Sequence, residues 1–259
     1  MDNVTYIFPI LETVDEQRRE RILLAINSVK PLCDIENDSI VVVAAKEVLD
    51  GFNEKTGIND PEGRITKVES DGKDVYSLVN DAVMECTTEY FSVLEPGEAY
   101  TSKWRKNADV YGKGCSVIVP LVNNVTKTED GNPDTSFLSN ELAWSVSYNE
   151  DNSIGFIDLN FLDKFIDISL SGAFFNTEDF ISIGKFKPSL KIVTWYEFLL
   201  RCAYKSKKIY VVPKIGVTRE YAPSGDGISK DEADWLIRTA RQEYFFNEDR
   251  DRKYDGATE

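Results

Sequence analysis

The segment Val4-Thr5-Tyr6-Ile7-Phe8, followed directly by Pro9, stands near the start of the chain. Its β-branched and aromatic residues predict a buried strand, which the proline is expected to end. Thr13-Val14-Asp15-Glu16 has capping-box spacing and predicts a helix that ends before Pro31. The next apolar run, Ser39-Ile40-Val41-Val42-Val43-Ala44, is typical of a parallel strand buried on both faces. Together these segments predict a Rossmann-like α/β unit.

The same alternation continues along the chain. A third strand is expected at Arg64–Val68, a helix at Lys73–Cys86 and a fourth strand at Tyr90–Leu94. Strands that alternate with helices in this order favour parallel pairing with helices on both faces. The sequence therefore predicts an α/β fold with a mixed, mainly parallel sheet flanked by helices.

Beyond residue 95 the sequence predicts shorter elements and a C-terminal appendage. The expected elements are a helix at Trp104–Tyr111, a strand at Cys115–Val119, a surface loop at Asn123–Ser136, a short helix at Leu138–Trp144, a strand at Gly172–Phe175, helices at Thr177–Gly184 and Leu190–Tyr204, and a pair of strands at Lys208–Val212 and Ile215–Tyr221 around Pro213. A capping box at Ser229 predicts a last helix, and residues 247–259 are expected to form a frayed, charged tail. The expected division is a domain at 1–228 and a C-terminal helix and tail at 229–259.

Composition limits the function classes. The 259 residues carry a formal net charge of −15 and include no histidine. An acidic surface repels nucleic-acid backbones and anionic lipids, so neither is an expected partner. No apolar window is long enough to predict a membrane span. Without histidine, Ser-His-Asp triads, Cys-His pairs and histidine-metal sites are excluded within this chain.

The four cysteines indicate the expected compartment. They are far apart and form no Cys-x-x-Cys pair, so buried thiols in a reducing environment are the default interpretation. The first residues, Met1-Asp2-Asn3, lack the basic region of a signal peptide. The sequence therefore predicts a cytoplasmic, intracellular location.

Several segments resemble the family 2 GT-A glycosyltransferases. Val4–Val29 is similar to their opening strand, proline, polar loop and helix, and Asp71–Glu95 is similar to a helix with an asparagine before a strand that ends in an acidic motif. Later segments are also similar to the family: Gly172–Gly184 on the acceptor side, and Glu197–Arg201, Lys208–Pro213 and Val217–Arg219 in the closing helix and strand. The resemblance covers a little over half of the chain and implies a GT-A fold.

The resemblance also implies positions for a nucleotide-sugar donor. Pro9 and Glu12 would lie against the nucleoside, although a plain strand-to-helix turn explains both residues as well. Asn80 matches the family's helical asparagine. These three residues, together with Lys46, are the implied donor-binding positions in the first half of the chain.

The family's D-x-D metal motif corresponds here to Leu94-Glu95-Pro96-Gly97-Glu98. The resemblance implies Mn²⁺ or Mg²⁺ bound by Glu95 and Glu98, because hard oxygen ligands suit these cations and the cation neutralises the donor diphosphate. The two carboxylates are one residue further apart than in the family motif. The alternative is a solvated turn after a strand.

Other positions depart from the family pattern. The second strand ends in Ala44-Ala45-Lys46, where the family has a carboxylate for the nucleoside; Lys46 would reach a phosphate or lie in solvent. Thr194-Trp195 occupies the place of the catalytic base, so Glu197 is the nearest candidate, and a helix salt bridge is its alternative role. Val217-Thr218-Arg219 lacks the family's closing histidine.

These departures favour a GT-A-like protein that has lost efficient glycosyl transfer and acts as a binding or structural module. The chain also looks like some tailed-phage gene products, which implies a protein partner or assembly role, with the virion as an alternative location. The competing hypothesis is an active transferase with an altered metal motif. A third is a binder of sugars or nucleotides without chemistry.

Overall fold

The computed structural model describes residues 1, 3–34, 36–58, 60, 63–127, 133–134, 155–163, 165–166, 169–220 and 229–255. In chain order the elements are β1 Val4–Ile10, α1 Glu16–Val29, β2 Ser39–Ala44, α2 Lys46–Leu49, α3 Phe52–Thr56, β3 Ile65–Glu69, α4 Val75–Met84, β4 Tyr90–Val93, β5 Glu98–Tyr100, α5 Trp104–Gly112, β6 Val117–Lys127, β7 Pro133–Asp134, β8 Phe156–Ile157, a 3₁₀ turn Phe161–Asp163, β9 Phe174–Asn176, α6 Thr177–Ser182, a 3₁₀ segment Pro188–Val193, α7 Thr194–Tyr204, β10 Ile209–Glu220 and α8 Lys230–Asp255. None of the described helices is long and apolar enough to cross a membrane.

The described strands form one curled sheet in the order β3-β2-β1-β4-β9-β6-β10-β5, with β7 beside β6 and β8 beside β10. β3, β2, β1 and β4 pair in parallel, as do β6 and β10. β9 is antiparallel to both of its neighbours, and β5 is antiparallel to β10. The predicted α/β class, with a mixed and mainly parallel sheet, is confirmed.

Helices cover both faces of the sheet, which explains the nearly continuous apolar strands. On β1, Ile7 lies in one core with side chains of α4, α7 and α8. Tyr6 and Phe8 lie in the other core with side chains of α1 and α5. A strand that contributes to two cores cannot alternate between apolar and polar residues, because both of its faces are removed from water.

The prediction that Pro9 ends the first strand was wrong. β1 continues to Ile10, and Pro9 lies opposite Val43 of β2. Pairing with β4 ends where Ile7 lies opposite Val93, and the Ile7 carbonyl accepts the Leu94 amide. Alternate residues of a strand direct their backbone N–H and C=O groups to the same neighbouring strand. Pro9 therefore faces β4, as Ile7 does, and its missing N–H lies where pairing with β4 has already ended.

Two expectations about the later strands were also wrong. The segments on either side of Pro213 are one strand, β10, and the exposed proline sits where the pairing with β6 changes register between Val211 and Ile215. A register shift of this kind leaves residues outside the ladder, so it accommodates a residue without an N–H. The expected loop beginning at Asn123 is, up to Lys127, the end of β6.

Several helix boundaries differ from the expected ones. α1 is capped by Asp15, whose side chain accepts the Arg18 amide at 2.8 Å, and not by Thr13. The helix expected from residue 190 begins as a 3₁₀ segment and becomes α-helical at Thr194. The last helix reaches Asp255, so the expected frayed tail is helical over most of its length. The helix predicted at 138–144 lies outside the described residues.

Candidate functional site

The acidic motif forms a tight turn at the carboxyl end of β4. The Glu98 amide donates to the Glu95 carbonyl at 3.1 Å, and Gly97 has φ +97°, which a side-chain-bearing residue rarely adopts. Glu98 then begins β5, which pairs with β10 so that Glu98 lies opposite Arg219. Ligands of open α/β sheets bind at the carboxyl ends of strands, so this turn has the expected location of a site.

The carboxylate of Glu98 is buried and bonded on both oxygens. Oε2 accepts the Glu95 backbone amide at 2.9 Å, and Oε1 accepts the Ser171 hydroxyl at 2.6 Å. Only 6% of the residue is exposed, and burial raises the pKa of this carboxyl despite the two hydrogen bonds. The turn therefore holds Glu98 as an internal structural carboxyl.

The side chain of Glu95 is only partly buried, but its carboxyl interacts electrostatically with the carboxyl of Glu98. Burial, followed by the charge of Glu98, raises the pKa of Glu95 from its ordinary value near 4.5 to about 7, against the opposing effects of Arg219 and Arg21. Two carboxyls so close to each other favour a state with one proton between them. Near neutral pH the pair therefore carries less than two negative charges.

Two arginines that sequence reasoning did not assign to the site flank this pair. Arg219 donates from Nε to Asn124 Oδ1 at 2.6 Å and from a terminal nitrogen to Ser169 Oγ at 3.1 Å. Arg21 projects from α1 past Gly97: a Cβ on that glycine would lie 2.6 Å from Arg21 Nε. The cross-strand register between β5 and β10 brings Arg219 here, and that register cannot be read from the sequence.

A chain of hydroxyls links one arginine to the buried carboxyl. Ser169 Oγ, which accepts from Arg219, donates to Ser171 Oγ at 3.0 Å, and Ser171 in turn donates to Glu98. Residues from β5, β10 and the segment before β9 thus form one polar network. The strand predicted at Gly172–Phe175 was the sequence signal nearest to these serines.

The other predicted donor-binding residues lie at the carboxyl ends of β1 and β2 or on α4. Pro9 is buried in β1, and Glu12 is exposed and forms an ion pair with Arg18. Lys46 is exposed at the start of α2. Asn80 forms two hydrogen bonds of 3.0 Å with the backbone of Phe186, one as donor and one as acceptor. Both polar ends of the Asn80 amide are thus engaged within the protein, and the roles of these residues stay predictions.

Glu197, the candidate base, lies in a separate buried ion-pair network. Its two oxygens accept from Arg201 at 3.1 and 2.8 Å, and Lys187 Nζ lies 2.8 Å from Oε1. The Tyr244 hydroxyl also donates to Oε1 at 3.3 Å. Within the described residues none of these contacts involves Glu95 or Glu98, so the structure does not bring the candidate base and the acidic turn into one network.

The donor set at the turn does not fit a divalent cation. Both Glu98 oxygens already accept hydrogen bonds from the protein, and two guanidinium groups act on the carboxyl pair. Across the described part of the chain, no three side chains of the metal-binding types lie close enough to hold an ion. Mg²⁺ is usually held by one or two carboxylates together with waters and substrate phosphates, so a cation here would need a carboxylate free to reach it, and that of Glu98 is already engaged.

The raised pKa of Glu95 predicts a specific pH dependence of stability. The unfolded chain ionises this carboxyl near pH 4.5, whereas the native protein keeps it protonated up to about pH 7, so ionisation favours the unfolded state as pH rises between these values. Glu95→Gln, which mimics the protonated form, is expected to gain thermal stability over the wild type progressively from pH 4.5 to 7, with no further gain above. Melting temperatures of both proteins across pH 4–8.5 measure this difference.

Glu47→Gln is the matched control, because Glu47 is an exposed carboxyl in the first turn of α2. Its difference from the wild type is expected to stay flat over the same range. If the Glu95→Gln difference is equally flat, the proposed electrostatic coupling in the turn is wrong.

Comparison with known proteins identifies the fold. No family model matches the sequence, and no curated protein is similar to it. Two solved structures of S. aureus TarS 1–349 superpose on the chain, one in complex with UDP-GlcNAc (TM-score 0.58, 14% identity) and one in complex with UDP (TM-score 0.52, 13% identity). The match covers 94% and 93% of this chain but only 66% and 65% of the TarS chains, so the chain spans slightly less than two thirds of their length.

TarS is a GT-A glycosyltransferase of family 2, and the matched regions include nearly all of the present chain. At this level of identity the similarity bears on architecture alone. The chain therefore has a GT-A-like, Rossmann-like fold, as the order of its strands and helices independently indicates.

Proposed function

We propose that this protein is a nucleotide-sugar-binding module of GT-A fold that transfers sugar poorly or not at all. The observation that carries the proposal is the internal bonding of Glu98, the second carboxylate of the acidic turn. A metal-dependent transferase needs such a carboxylate directed at the cation, because the cation stabilises the departing diphosphate. Here the carboxylate instead holds the turn to the segment before β9.

The state of the candidate base supports the same proposal. Inverting transfer needs a group that removes the proton of the acceptor hydroxyl. Glu197 accepts hydrogen bonds from Arg201 and Tyr244 and forms an ion pair with Lys187. Both of its carboxylate oxygens are therefore already bonded to other residues of the protein. Ala44, buried at the end of β2, offers no carboxylate to a nucleoside.

A second candidate is a metal-dependent glycosyltransferase with an altered motif. It is favoured by the similarity to a structure in complex with UDP-GlcNAc and by the partly exposed Glu95 at the carboxyl end of β4. In this case the Glu98 carboxylate would have to give up its hydrogen bond from Ser171 in order to bind a cation. The cost of freeing a buried, bonded carboxyl makes this candidate the weaker one.

An assembly role is a further part of the proposal. Trp235 on α8 and Tyr204 at the end of α7 are each 59% exposed, and large exposed aromatic side chains are enriched at protein interfaces. A protein partner, including one in a phage virion, would cover them. Cross-linking of the protein to its native neighbours is the direct approach to this partner.

The test is a nucleotide-release assay with a panel of nucleotide sugars, including UDP-GlcNAc, in the presence of Mn²⁺ or Mg²⁺. We expect no steady release of nucleoside diphosphate, because general-base catalysis typically contributes roughly 10²- to 10⁴-fold and the cation contributes further. Thermal stabilisation by a nucleotide sugar in the same samples would show binding without transfer. Steady release that is lost in Glu95→Ala, but not in Glu47→Ala, would instead establish the second candidate.

A further inference from the structure

A cavity of about 770 Å³ lies at the edge of the sheet opposite the acidic turn. It is lined by Asn3, which precedes β1, by residues 87–89, which precede β4, and by Asn176 and Thr177, where β9 ends and α6 begins. β1 and β4 are parallel, so their amino ends meet here, whereas the acidic turn follows the carboxyl end of β4. The length of β4 alone separates the two places by about 13 Å. The cavity is therefore distinct from the site described above.

One buried hydroxyl at this cavity has no partner. Thr177 lines the cavity and is 7% exposed, and its Oγ1 is buried without a hydrogen-bond partner among the described residues. Threonines in helices use two χ1 rotamers, so a rotation can turn this hydroxyl towards the cavity without moving the backbone. Buried polar groups are rarely left unpaired. An unpaired hydroxyl beside a cavity therefore indicates a ligand that supplies the missing partner.

Asn3 adds a hydrogen-bond donor next to Thr177. Its Oδ1 accepts the Glu89 backbone amide at 2.6 Å, and the Thr177 amide donates to the carbonyl of the same Glu89 at 2.9 Å, so the two residues flank one position of the chain. The bond to Oδ1 fixes the orientation of the Asn3 side chain, whose Nδ2 makes no bond to a described residue. An amide nitrogen can only donate, so it needs an acceptor on the ligand.

The charges around the cavity disfavour an anionic ligand. The exposed carboxylates of Glu89 and Glu178 contribute to the lining, and none of the described lining residues is a lysine or an arginine. Lys207 lies close enough to Glu178 to interact with it electrostatically, but its ammonium group is bonded to Asp179. A phosphate or a nucleotide would therefore be repelled here.

We propose that this cavity binds a neutral saccharide through Thr177 and Asn3. A sugar hydroxyl both donates and accepts, so neighbouring hydroxyls can accept from Asn3 Nδ2 and donate to Thr177 or to the carboxylate of Glu178. An ammonium group, in contrast, has no acceptor for Asn3. Ile181, a lining residue that is 39% exposed, offers an apolar contact to the C–H groups of a sugar ring. This binding is independent of the nucleotide binding proposed above.

Saturation-transfer NMR with maltotriose, cellotriose and chitotriose tests the proposal, with spermidine and inorganic phosphate as cationic and anionic probes. At least one trisaccharide is expected to bind, and phosphate is expected not to bind at this cavity. The saccharide signal is expected to persist when UDP is added, because the cavity lies away from the acidic turn. Calorimetry with the bound trisaccharide then gives the affinity of each variant.

Thr177→Val removes the unpaired hydroxyl and keeps the shape of the side chain. It is expected to weaken the trisaccharide roughly threefold to tenfold, the effect of one neutral hydrogen bond. It is also expected to melt at least as high as the wild type, because it removes a buried group without a partner. Thr56→Val is the matched control: Thr56 is buried on α3 and donates to the Phe52 carbonyl at 2.7 Å, so this variant is expected to melt lower and to bind normally.

Asn3→Asp keeps an acceptor for the Glu89 amide and removes the Nδ2 donor. It is expected to weaken the trisaccharide, whereas the added negative charge would strengthen any binding of spermidine.

The contrary outcomes are separate from those of the nucleotide-release assay. If no trisaccharide binds, if UDP displaces it, or if Thr177→Val binds it as tightly as the wild type, the saccharide proposal is wrong. Binding of spermidine without any trisaccharide would show a cavity for cations and would overturn the proposal as well. Failure to bind UDP would contradict the proposed function alone.

Discussion

Arg201→Met is expected to lower the free energy of unfolding by roughly 3–5 kcal/mol, because it leaves the Glu197 carboxylate buried without its main partner. Arg201 donates twice to Glu197 and also to the carbonyls of Ile183 at 2.8 Å and Lys185 at 2.6 Å. Both side chains are almost fully buried, so water cannot replace these bonds. Urea unfolding followed by tryptophan fluorescence measures the loss.

Lys187→Met provides the comparison, since Lys187 contacts the same carboxylate from a side chain that is 42% exposed. Its loss is expected to cost about 1 kcal/mol or less, in the range of surface pairs. The double variant Glu197→Leu/Arg201→Met should recover much of the stability, because both buried charges are then removed. An Arg201→Met variant as stable as Lys187→Met would show that the buried pair contributes little.

Gly172→Ala is expected to cost roughly 2–4 kcal/mol, from backbone strain and overpacking together. Gly172 has φ +68°, and a Cβ there would lie 2.2 Å from Val217 Cγ2 and 3.0 Å from a ring carbon of Tyr100. Its amide donates to Val93, and its carbonyl accepts the Trp104 indole at 2.8 Å, so the backbone cannot easily move away. Urea unfolding again gives the measurement.

Gly114→Ala separates the two contributions. Gly114 has φ +75°, close to that of Gly172, but a Cβ there meets no atom within 4 Å. Strain alone is expected to cost roughly 1–2 kcal/mol. Equal losses in the two alanine variants would mean that the crowding around Gly172 relaxes without cost.

The first half of the fold could be predicted because its signals are local. The runs at 4–8, 39–44 and 90–94 are buried strands, the run at 64–68 is the more exposed edge strand β3, and helices join them along the chain. Two of the errors in strand boundaries were at prolines. Pro9 and Pro213 both lie within strands, because each occupies a point where pairing on its N–H side has ended or shifted register.

The acidic turn could be located from the sequence, but its chemistry could not. Glu95 and Glu98 follow an apolar strand, which places them at its carboxyl end. Their partners Ser171 and Arg219 are brought there by strand pairing and have no local signature. Asn80 illustrates the same limit: its match to a family position was visible, whereas its bonds to the backbone of Phe186, 106 residues away, were not.

The antiparallel pairing of β5 with β10 also bears on the order in which the protein folds. It joins Glu98 to Arg219, about 120 residues apart in sequence, whereas β1 and β2 join residues about 34 apart. Closing the longer loop costs roughly 1 kcal/mol more chain entropy, and contacts between distant residues form slowly. The parallel pairing of β1 with β2 can therefore form early, while the arginine opposite Glu98 arrives only when the last strand docks on β5.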